Sequence, residues 1–262
     1  MSRVLYERVG DVGIITFDHP PINAFSADFE EGFLAAIRSA MRGDVRALLT
    51  KASGPNFCAG ADVNMFVGLD RRTGSGLVSG AINMVNLVES LPIPTVCAVN
   101  GMAIAAGMEI MLAHDIAIVG QSAQIGQTEA MIGTATLAGG AQRIAARAGV
   151  ARAKEMVFEA KVYSAETLER WNIVNKVVAD DKLHEHALAY ARRLAAGPTA
   201  AYAIGKAAIN AFAAPGLSSA DGSLIGSAGQ VFETSDKQRG VKAFLKDGAK
   251  AFSSGDFKYE GK

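Results

Sequence analysis

The alternation of hydrophobic and polar positions at the start of the chain predicts a β-hairpin followed by a helix. Two short runs rich in Val, Ile and aromatic residues flank the turn residues Gly10–Gly13, so the hairpin should span Val4 to Asp18. Ser26 is placed to cap a helix that Gly43 ends. The apolar positions of this helix recur at helical spacing: Phe29, Phe33, Leu34, Ile37 and Met41.

The same order of strand, loop and helix recurs in the middle of the chain. A strand over Val45 to Thr50 leads into the polar, glycine-bearing loop Lys51–Asp62. Next come an apolar-spaced segment over Ile82–Leu91 and a strand over Thr95–Val99 that is bounded by proline on its N-terminal side. A glycine-containing turn, a helix over Gly107–Ala113 and another strand over Ile116–Val119 follow. This alternation predicts an α/β fold with a mainly parallel sheet, in which ligands bind at the carboxyl ends of the strands.

From about Leu137 the chain has an Ala-rich helical pattern with one last short strand, Val174–Val178. Asn172 is suited to end a helix, because Asn tolerates the left-handed conformation. The Gly- and Ser-rich stretch Ala214–Gly229 predicts a hinge or loop. A final helix around Val231–Leu245 is a candidate partner or lid element.

Composition and charge exclude several classes of function. Lys plus Arg and Asp plus Glu number 26 each, so no net field attracts nucleic acid or an anionic membrane. Two cysteines are too few for a disulfide scaffold and fit a reducing cytoplasm. The charged N-terminus does not resemble a signal peptide, so we expect a cytoplasmic protein. Ser90–Met108 has the length of a membrane span, but breakers interrupt it: Pro92, Pro94, Asn100 and Gly101.

Charge is scarce between Ser90 and Gln142, where the only acids or strong bases are Glu109, Asp115 and Glu129. At the charged fraction of the whole chain, 20%, this stretch would carry about ten, so we expect it to be buried. Asp115 directly precedes a strand and is interpreted as structural.

Glu109 and Glu129, each taken singly, would more often be structural than catalytic. As a pair in an apolar pocket, however, two carboxyl groups can serve as general acid and base. A glycosidase uses such a pair as well. The single tryptophan, Trp171, does not favour a sugar-stacking cleft.

Two glycine-bearing loops, Asn56–Asp62 and Asn100–Gly107, have few bulky side chains, so their backbone N–H groups can approach a ligand. Such groups could form an oxyanion hole, although glycines in turns also serve tight packing. Neither loop is a phosphate-binding loop. Cys58 has no histidine in these motifs to activate it and is interpreted as a small buried residue. His184 and His186 are interpreted as a solvated helix face rather than a metal site.

Three segments resemble, in order and spacing, the signatures of the crotonase (enoyl-CoA hydratase/isomerase) superfamily. They are FCAGADV over Phe57–Val63, AVNGMAIAAGMEIMLAHDI over Ala98–Ile116 and IGQTEAMIGTATLAGGAQRI over Ile125–Ile144. Weaker similarity extends from Pro21–Phe25 to the segment Phe232–Phe252. The resemblance covers nearly the whole chain.

This resemblance implies a crotonase-like spiral of ββα units, with a core over residues 1–195 and a helical C-terminal region over residues 196–262. The second region would serve trimerisation and cover the pocket, and the assembly would be a homotrimer or a dimer of trimers. The implied partner is an acyl-CoA thioester, with no nucleic acid and no membrane. No metal is expected, and no cofactor is expected because coenzyme A is part of the substrate.

Position by position, the resemblance implies that the backbone N–H groups of Ala61 and Ala106 form the oxyanion hole. It also implies that Glu109 and Glu129 are the two glutamates of the hydratases. The implied substrate and CoA contacts are Ala59, Gly60, Ala61, Asp62, Val63, Asn64, Ala106 and Gly107.

The reaction implied is hydration of a trans-2-enoyl-CoA to a 3-hydroxyacyl-CoA, with Glu129 as the expected donor to the α-carbon. Two alternatives stay open. One is an enoyl-CoA isomerase that uses Glu129 as its only proton shuttle, and the other is an acyl-CoA-binding subunit without turnover.

The chain departs from the family pattern at four places. They are Ala105-Ala106-Gly107 for a glycine triplet, Asn64 for a frequent Lys, Ala135-Thr136-Leu137 for Ile-Pro-Gly, and Arg239 for a common acidic residue. None of them removes a catalytic group, and together they leave the acyl-chain preference open.

Overall fold

A computed structural model describes residues 4–42, 45–66, 68, 70–213, 235–247, 251, 257–258 and 260. Its strands are β1 Val4–Val9, β2 Val12–Phe17, β3 Ala47–Ala52, β4 Thr95–Val99, β5 Met102–Ile104, β6 Ile116–Gly120, β7 Gln124–Gly126, β8 Val162–Ser164 and β9 Lys176–Val178. Its α-helices are α1 Ala27–Arg42, α2 Arg71–Glu89, α3 Ala106–Leu112, α4 Gly140–Ala148, α5 Val150–Glu159, α6 Ala165–Arg170, α7 Leu183–Ala195, α8 Thr199–Ala213 and α9 Ser235–Asp247. Short 3₁₀ turns span Val63–Phe66, Glu129–Ile132 and Asp180–Lys182.

The strands form a large sheet and a small one. The large sheet has the order β1-β2-β3-β4-β6-β9, and all its neighbours are parallel except the β1–β2 hairpin. The small sheet has the order β5-β7-β8. Strands β4 and β5 are followed by α3, so this part of the chain is a ββα unit that adds one strand to each sheet. The mixed α/β architecture confirms the predicted fold class.

The predicted hairpin and first helix are confirmed. Val9 pairs with Val12 across the turn, and the hydroxyl of Ser26 accepts a hydrogen bond from the backbone N–H of Phe29 at 3.3 Å. Met41, the last apolar position of this spacing, lies within α1 and is 54% exposed near the end of the helix. The predicted end of the helix at Gly43 lies outside the described residues.

Helix α2 is longer than the predicted segment Ile82–Leu91, since it begins at Arg71. Asp70 caps it by accepting from the N–H of Thr73, whose hydroxyl in turn accepts from the N–H of Asp70. Three glycines in the first half of the helix interrupt the helical spacing of its apolar residues and lower its helix propensity: Gly74, Gly76 and Gly80. The capping hydrogen bonds at Asp70 can therefore begin a helix even where the residues that follow have weak helix propensity.

The small sheet was not predicted, and β3 is placed two residues later than expected. Strands β5, β7 and β8 have three residues each, which is too short to show a period of two. The register of β3 is set by pairing with β2, from Val12 with Ala47 to Phe17 with Ala52. Tertiary pairing therefore moves the strand from the predicted Val45–Thr50 to Ala47–Ala52.

Both faces of the large sheet are covered. Helices α1 and α2 pack on one face over a cluster of phenylalanines whose neighbouring ring centroids lie 4.5–6.1 Å apart: Phe17, Phe25, Phe29, Phe33 and Phe57. Helix α7 covers the other face with Leu183 and three alanines. The uncharged stretch Ser90–Met108 is divided among β4, β5 and the start of α3. None of the described helices is long and apolar enough to cross a membrane.

The later elements follow the sequence closely. Asn172 has φ 60°, as expected for its position after α6, and β9 lies within the predicted strand. Asp115 is structural, because it accepts hydrogen bonds from the N–H and hydroxyl of Thr95 and from Nζ of Lys206 on α8. The predicted hinge Ala214–Gly229 and the first residues of the final helix lie outside the described residues.

Candidate active site

The two glycine-bearing loops lie side by side at the carboxyl ends of β3 and β4. Cys58 and Ala103 form an isolated parallel bridge, in which the N–H of Ile104 donates to the carbonyl oxygen of Cys58 at 3.1 Å. The other end of the first loop is held by Phe25, whose backbone bonds to Gly60 and Asp62. The first loop is therefore fixed on both sides.

A glycine is required where the second loop passes under the first. A Cβ at Gly107 would lie 2.1 Å from the carbonyl oxygen of Cys58, far inside contact distance. Ala105 precedes it with φ 50° and ψ −119°, a conformation that glycine usually adopts. Ala105 is one of the two alanines that depart from the family's glycine triplet, and it is held in this strained conformation by the hydrogen bond that its N–H donates to Gly126 and by the start of α3.

Some backbone N–H groups of these loops are bonded within the chain, and others are free to donate to a ligand. The N–H groups of Asp62 and Ala105 bond within the chain, to Phe25 and Gly126. Those of Ala61 and Ala106, by contrast, have no hydrogen-bond acceptor within the described part of the chain. Ala106 is the first residue of α3, so its N–H also lies at the positive end of that helix. Both groups can donate to a ligand oxygen.

A cavity of about 230 Å³ lies between these loops, α2, α3 and the turn that begins at Glu129. Its wall is mostly apolar, with two threonines, Thr128 and Thr134, and two carboxylates. The wall includes both predicted glutamates and most of the predicted loop residues: Ala59, Gly60, Ala61, Val63, Ala106, Glu109 and Glu129. Asp62, Asn64 and Gly107 do not line it. Asp62 instead accepts from the backbone and side-chain nitrogens of Asn64 at 3.0 and 2.8 Å.

Glu109 lies on α3 and is almost fully buried, with 3% of the residue exposed. Its Oε1 accepts hydrogen bonds from the N–H groups of Ala138 at 2.8 Å and Gly140 at 2.9 Å. Burial raises the pKa of Glu109, and the two N–H donors and the positive charge of Arg143 act against this rise. The carboxylate is thus buried but well supplied with donors.

Glu129 is half-buried at the start of its 3₁₀ turn. Burial, and to a smaller extent the negative charge of Glu109, raise the pKa of Glu129 to about 7. With its side-chain nitrogen turned towards this carboxylate, Gln127 donates to both oxygens, at 2.7 and 3.0 Å. Gln127 is buried, and turning its amide over would present an oxygen to a protonated Glu129.

Sequence reasoning missed Gln127 and the turn that holds Glu109. The sequence could have indicated Gln127, because its side-chain amide lies two residues from the candidate acid Glu129 in a stretch with little charge. It could not have indicated the donors to Glu109, because they are backbone groups 29 and 31 residues away.

The burial of Cys58 agrees with its interpretation as a small buried residue. Cys58 is fully buried, and burial raises the pKa of its thiol to about 12, so it is a poor nucleophile. His184 is exposed on α7 and His186 is half-buried. In the described ranges, no group of three His, Cys, Asp or Glu side chains is arranged to hold a metal ion.

The sequence and the fold are both similar to those of known enzymes. Residues 7–255 match the model of the family described as enoyl-CoA hydratase/isomerase. A probable enoyl-CoA hydratase of Rhodobacter capsulatus is 33% identical over 246 residues, which cover 92% of this chain and 94% of that protein.

Solved structures agree with this match. DspI of Pseudomonas aeruginosa is 29% identical with a TM-score of 0.88, over 94% of this chain and 95% of that chain. An enoyl-CoA hydratase of Bacillus anthracis is 27% identical with a TM-score of 0.87, over 93% and 96%. The chain therefore belongs to the enoyl-CoA hydratase/isomerase family and has the crotonase fold.

Proposed function

We propose that the protein hydrates trans-2-enoyl-CoA thioesters to 3-hydroxyacyl-CoA. One observation carries the proposal: Glu109 and Glu129, which have unlike surroundings, line the same apolar cavity as two free backbone N–H groups. An enoyl thioester offers a matching set of atoms, namely a carbonyl oxygen, an electrophilic β-carbon and an α-carbon that must gain a proton.

The N–H groups of Ala61 and Ala106 would bind the thioester oxygen. Addition at the β-carbon places negative charge on this oxygen as an enolate, and donors that are already oriented stabilise that charge without reorganising. The CoA portion would contact the backbone of the first loop, from Ala59 to Asn64. No cofactor is needed for these steps, because the donors and carboxylates supply the chemistry.

The two carboxylates would then divide the acid and base roles. Glu109, as the carboxylate, takes a proton from water while the hydroxyl oxygen bonds to the β-carbon. Glu129, whose pKa of about 7 lets it carry a proton near neutral pH, gives that proton to the α-carbon. Exchange of one proton through solvent returns the pair to its starting state.

Assembly as a homotrimer or a dimer of trimers is part of the proposal. Its support is an exposed apolar surface on α5, where Val150 and Phe158 are 62% and 75% exposed. A cytoplasmic location is supported by the two cysteines, which are free and buried.

Loss of the enone absorbance of crotonyl-CoA tests the proposal directly. We expect the wild-type protein to hydrate it and Glu109→Gln to lose most of that activity. Retention of hydration by Glu109→Gln would rule out the two-carboxylate mechanism, and double-bond migration without hydration would identify an isomerase that uses Glu129 alone. Tight thioester binding without turnover, across a range of chain lengths, would identify a binding subunit.

A further inference from the structure

Arg143, on helix α4, lies against the turn that supplies donors to Glu109. Its Nη1 donates to the carbonyl oxygens of Gly139 at 3.3 Å and Ala138 at 3.5 Å. The N–H groups of Ala138 and Gly140 donate to Glu109 from the same turn. One short turn is therefore held between a guanidinium group and a carboxylate.

Helix α2 holds this guanidinium group in place. Nη2 of Arg143 donates to Oδ1 of Asn86 at 2.8 Å and to Oε2 of Glu89 at 2.6 Å. The arginine side chain is 12% exposed, so its ion pair with Glu89 is shielded from water more than a surface pair. A planar guanidinium group can make these contacts and reach the turn at the same time, which a lysine ammonium group cannot.

Two glycines show how closely the turn fits between its neighbours. A Cβ at Gly139, which has φ +89°, would lie 2.3 Å from Nη1 of Arg143. A Cβ at Gly140 would lie 2.9 Å from Cγ of Glu109. Neither position has room for a side chain without displacing Arg143 or Glu109, so the turn lies in direct contact with both groups.

We propose that Arg143 is a positioning residue for the reaction, which holds the Ala138–Gly140 turn in the conformation that directs two N–H groups at Glu109. This inference rests on the proposed function, because the position of Glu109 matters to turnover only if Glu109 is a catalytic residue. Without Arg143 the turn loses its connection to α2, and Glu109 loses well-aligned donors.

The positive charge of Arg143 and the hydrogen bonds from the turn both favour the ionised form of Glu109. Among the charged groups of the described residues, Arg143 favours the ionised form of Glu109, and the charge of Glu109 in turn raises the pKa of the neighbouring Glu129. Arg143 itself faces Glu89 and also acts on Arg147. Removing the positive charge at position 143 therefore raises the pKa of Glu109.

Arg147, one turn further along α4, provides a matched control. Its guanidinium group donates to the carbonyl oxygens of Ile173, Leu112 and His114 at 2.8–2.9 Å and does not contact the Glu109 turn. Arg143→Lys and Arg147→Lys should both lower the melting temperature. Only Arg143→Lys should lower kcat for crotonyl-CoA hydration, on the order of tenfold, with KM little changed.

Removal of the charge adds a separate readout. Because Glu109 acts as a base, Arg143→Gln should move the acidic limb of the kcat/KM profile to higher pH, whereas Arg143→Lys should leave it in place. If the Arg143 variants do not fold, Glu89→Gln provides the same test, since it keeps Arg143 and removes one of its anchors. We expect a smaller loss of kcat in this variant.

A double-mutant cycle separates positioning from general structure. In the Glu109→Gln background, Arg143→Lys should cause no further loss of kcat. An equal loss in both backgrounds, or equal kcat for Arg143→Lys and Arg147→Lys, would overturn the inference.

A wild-type protein that does not hydrate enoyl-CoA would overturn the proposed function instead. In that case an NMR titration of the Glu109 carboxyl still tests the role of Arg143. Its pKa should rise in Arg143→Gln and not in Arg147→Gln, and an unchanged value in Arg143→Gln would contradict the inference.

Discussion

The two carboxylates of the cavity are the same kind of side chain in unlike surroundings. Glu109 projects from helix α3 and accepts two backbone hydrogen bonds in a buried site. Glu129 is half-buried on a single turn whose next apolar residues, Met131 and Ile132, are 73% and 59% exposed. The comparison teaches that surroundings, rather than residue type, can assign one glutamate as base and the other as acid.

The largest expected effect is that of Glu129→Gln. This variant keeps the shape of the side chain but cannot donate a carboxyl proton, so hydration should fall by about 10²- to 10⁴-fold. Steady-state rates with crotonyl-CoA provide the measurement, and Glu185→Gln, on the exposed face of α7, is the control. A loss of less than tenfold would remove Glu129 from the acid role.

A methyl group at position 140 tests whether the side of the cavity formed by Glu109 and the Ala138–Gly140 turn is as rigid as its contacts indicate. In Gly140→Ala the new Cβ would lie 2.6 Å from the side-chain amide of Gln127 and 2.9 Å from Cγ of Glu109, so both must move. Displacement of catalytic groups by about 1 Å can cost on the order of 100-fold in rate. Kinetics and the melting temperature of the variant provide the measurement.

Met131→Ala is the matching substitution on the other side of the cavity, in the turn that begins at Glu129. Because that side chain is mostly exposed, the variant should keep its stability. If Gly140→Ala retained full activity, or if both variants were equally destabilised, the Glu109 side of the cavity would not be more rigid than the Glu129 side.

Much of the fold and the site chemistry could be predicted from local sequence. The scarcity of charge around Glu109 and Glu129 identified both side chains, and the loops beside them carried their own glycine signals. The short strands β5, β7 and β8 could not be predicted, because three residues do not show a period and their pairing is tertiary.

The environment of Glu109 was beyond prediction for a related reason. Its donors are backbone N–H groups from a turn distant in sequence. Every residue type except proline has a backbone N–H, so the sequence does not reveal which residues donate. Met41 is exposed because the helical spacing of apolar residues continues to the end of α1, beyond the part of the helix that the core covers.

Gln127→Met should have a smaller effect that is confined to the Glu129 side. The amide N–H groups favour the ionised form of Glu129, so their loss raises the pKa of this residue further. The alkaline limb of the kcat/KM profile should therefore move to higher pH, with a loss of kcat on the order of tenfold. Gln124→Met, at an exposed position of β7, is the control. A movement of the acidic limb alone would contradict the assignment.

The smallest effect concerns stability. Because the pKa of Glu129 is raised in the folded protein, the folded state binds its proton more tightly than the unfolded state. This contribution is fully present below the unfolded pKa and is lost as the pH rises towards 7. Glu129→Gln should therefore raise the melting temperature, relative to wild type, by a few degrees more at about pH 8 than at about pH 4. The same difference at both pH values would argue against a raised pKa.

The most direct test of the division of roles is an NMR titration of the glutamate carboxyl carbons in the wild-type protein and in both Glu→Gln variants. We predict one carboxyl that titrates at about pH 7, is absent in Glu129→Gln, and titrates at lower pH in Glu109→Gln because a neighbouring negative charge is gone. A titration near pH 7 that persists in Glu129→Gln, or no carboxyl above the usual range, would contradict the account.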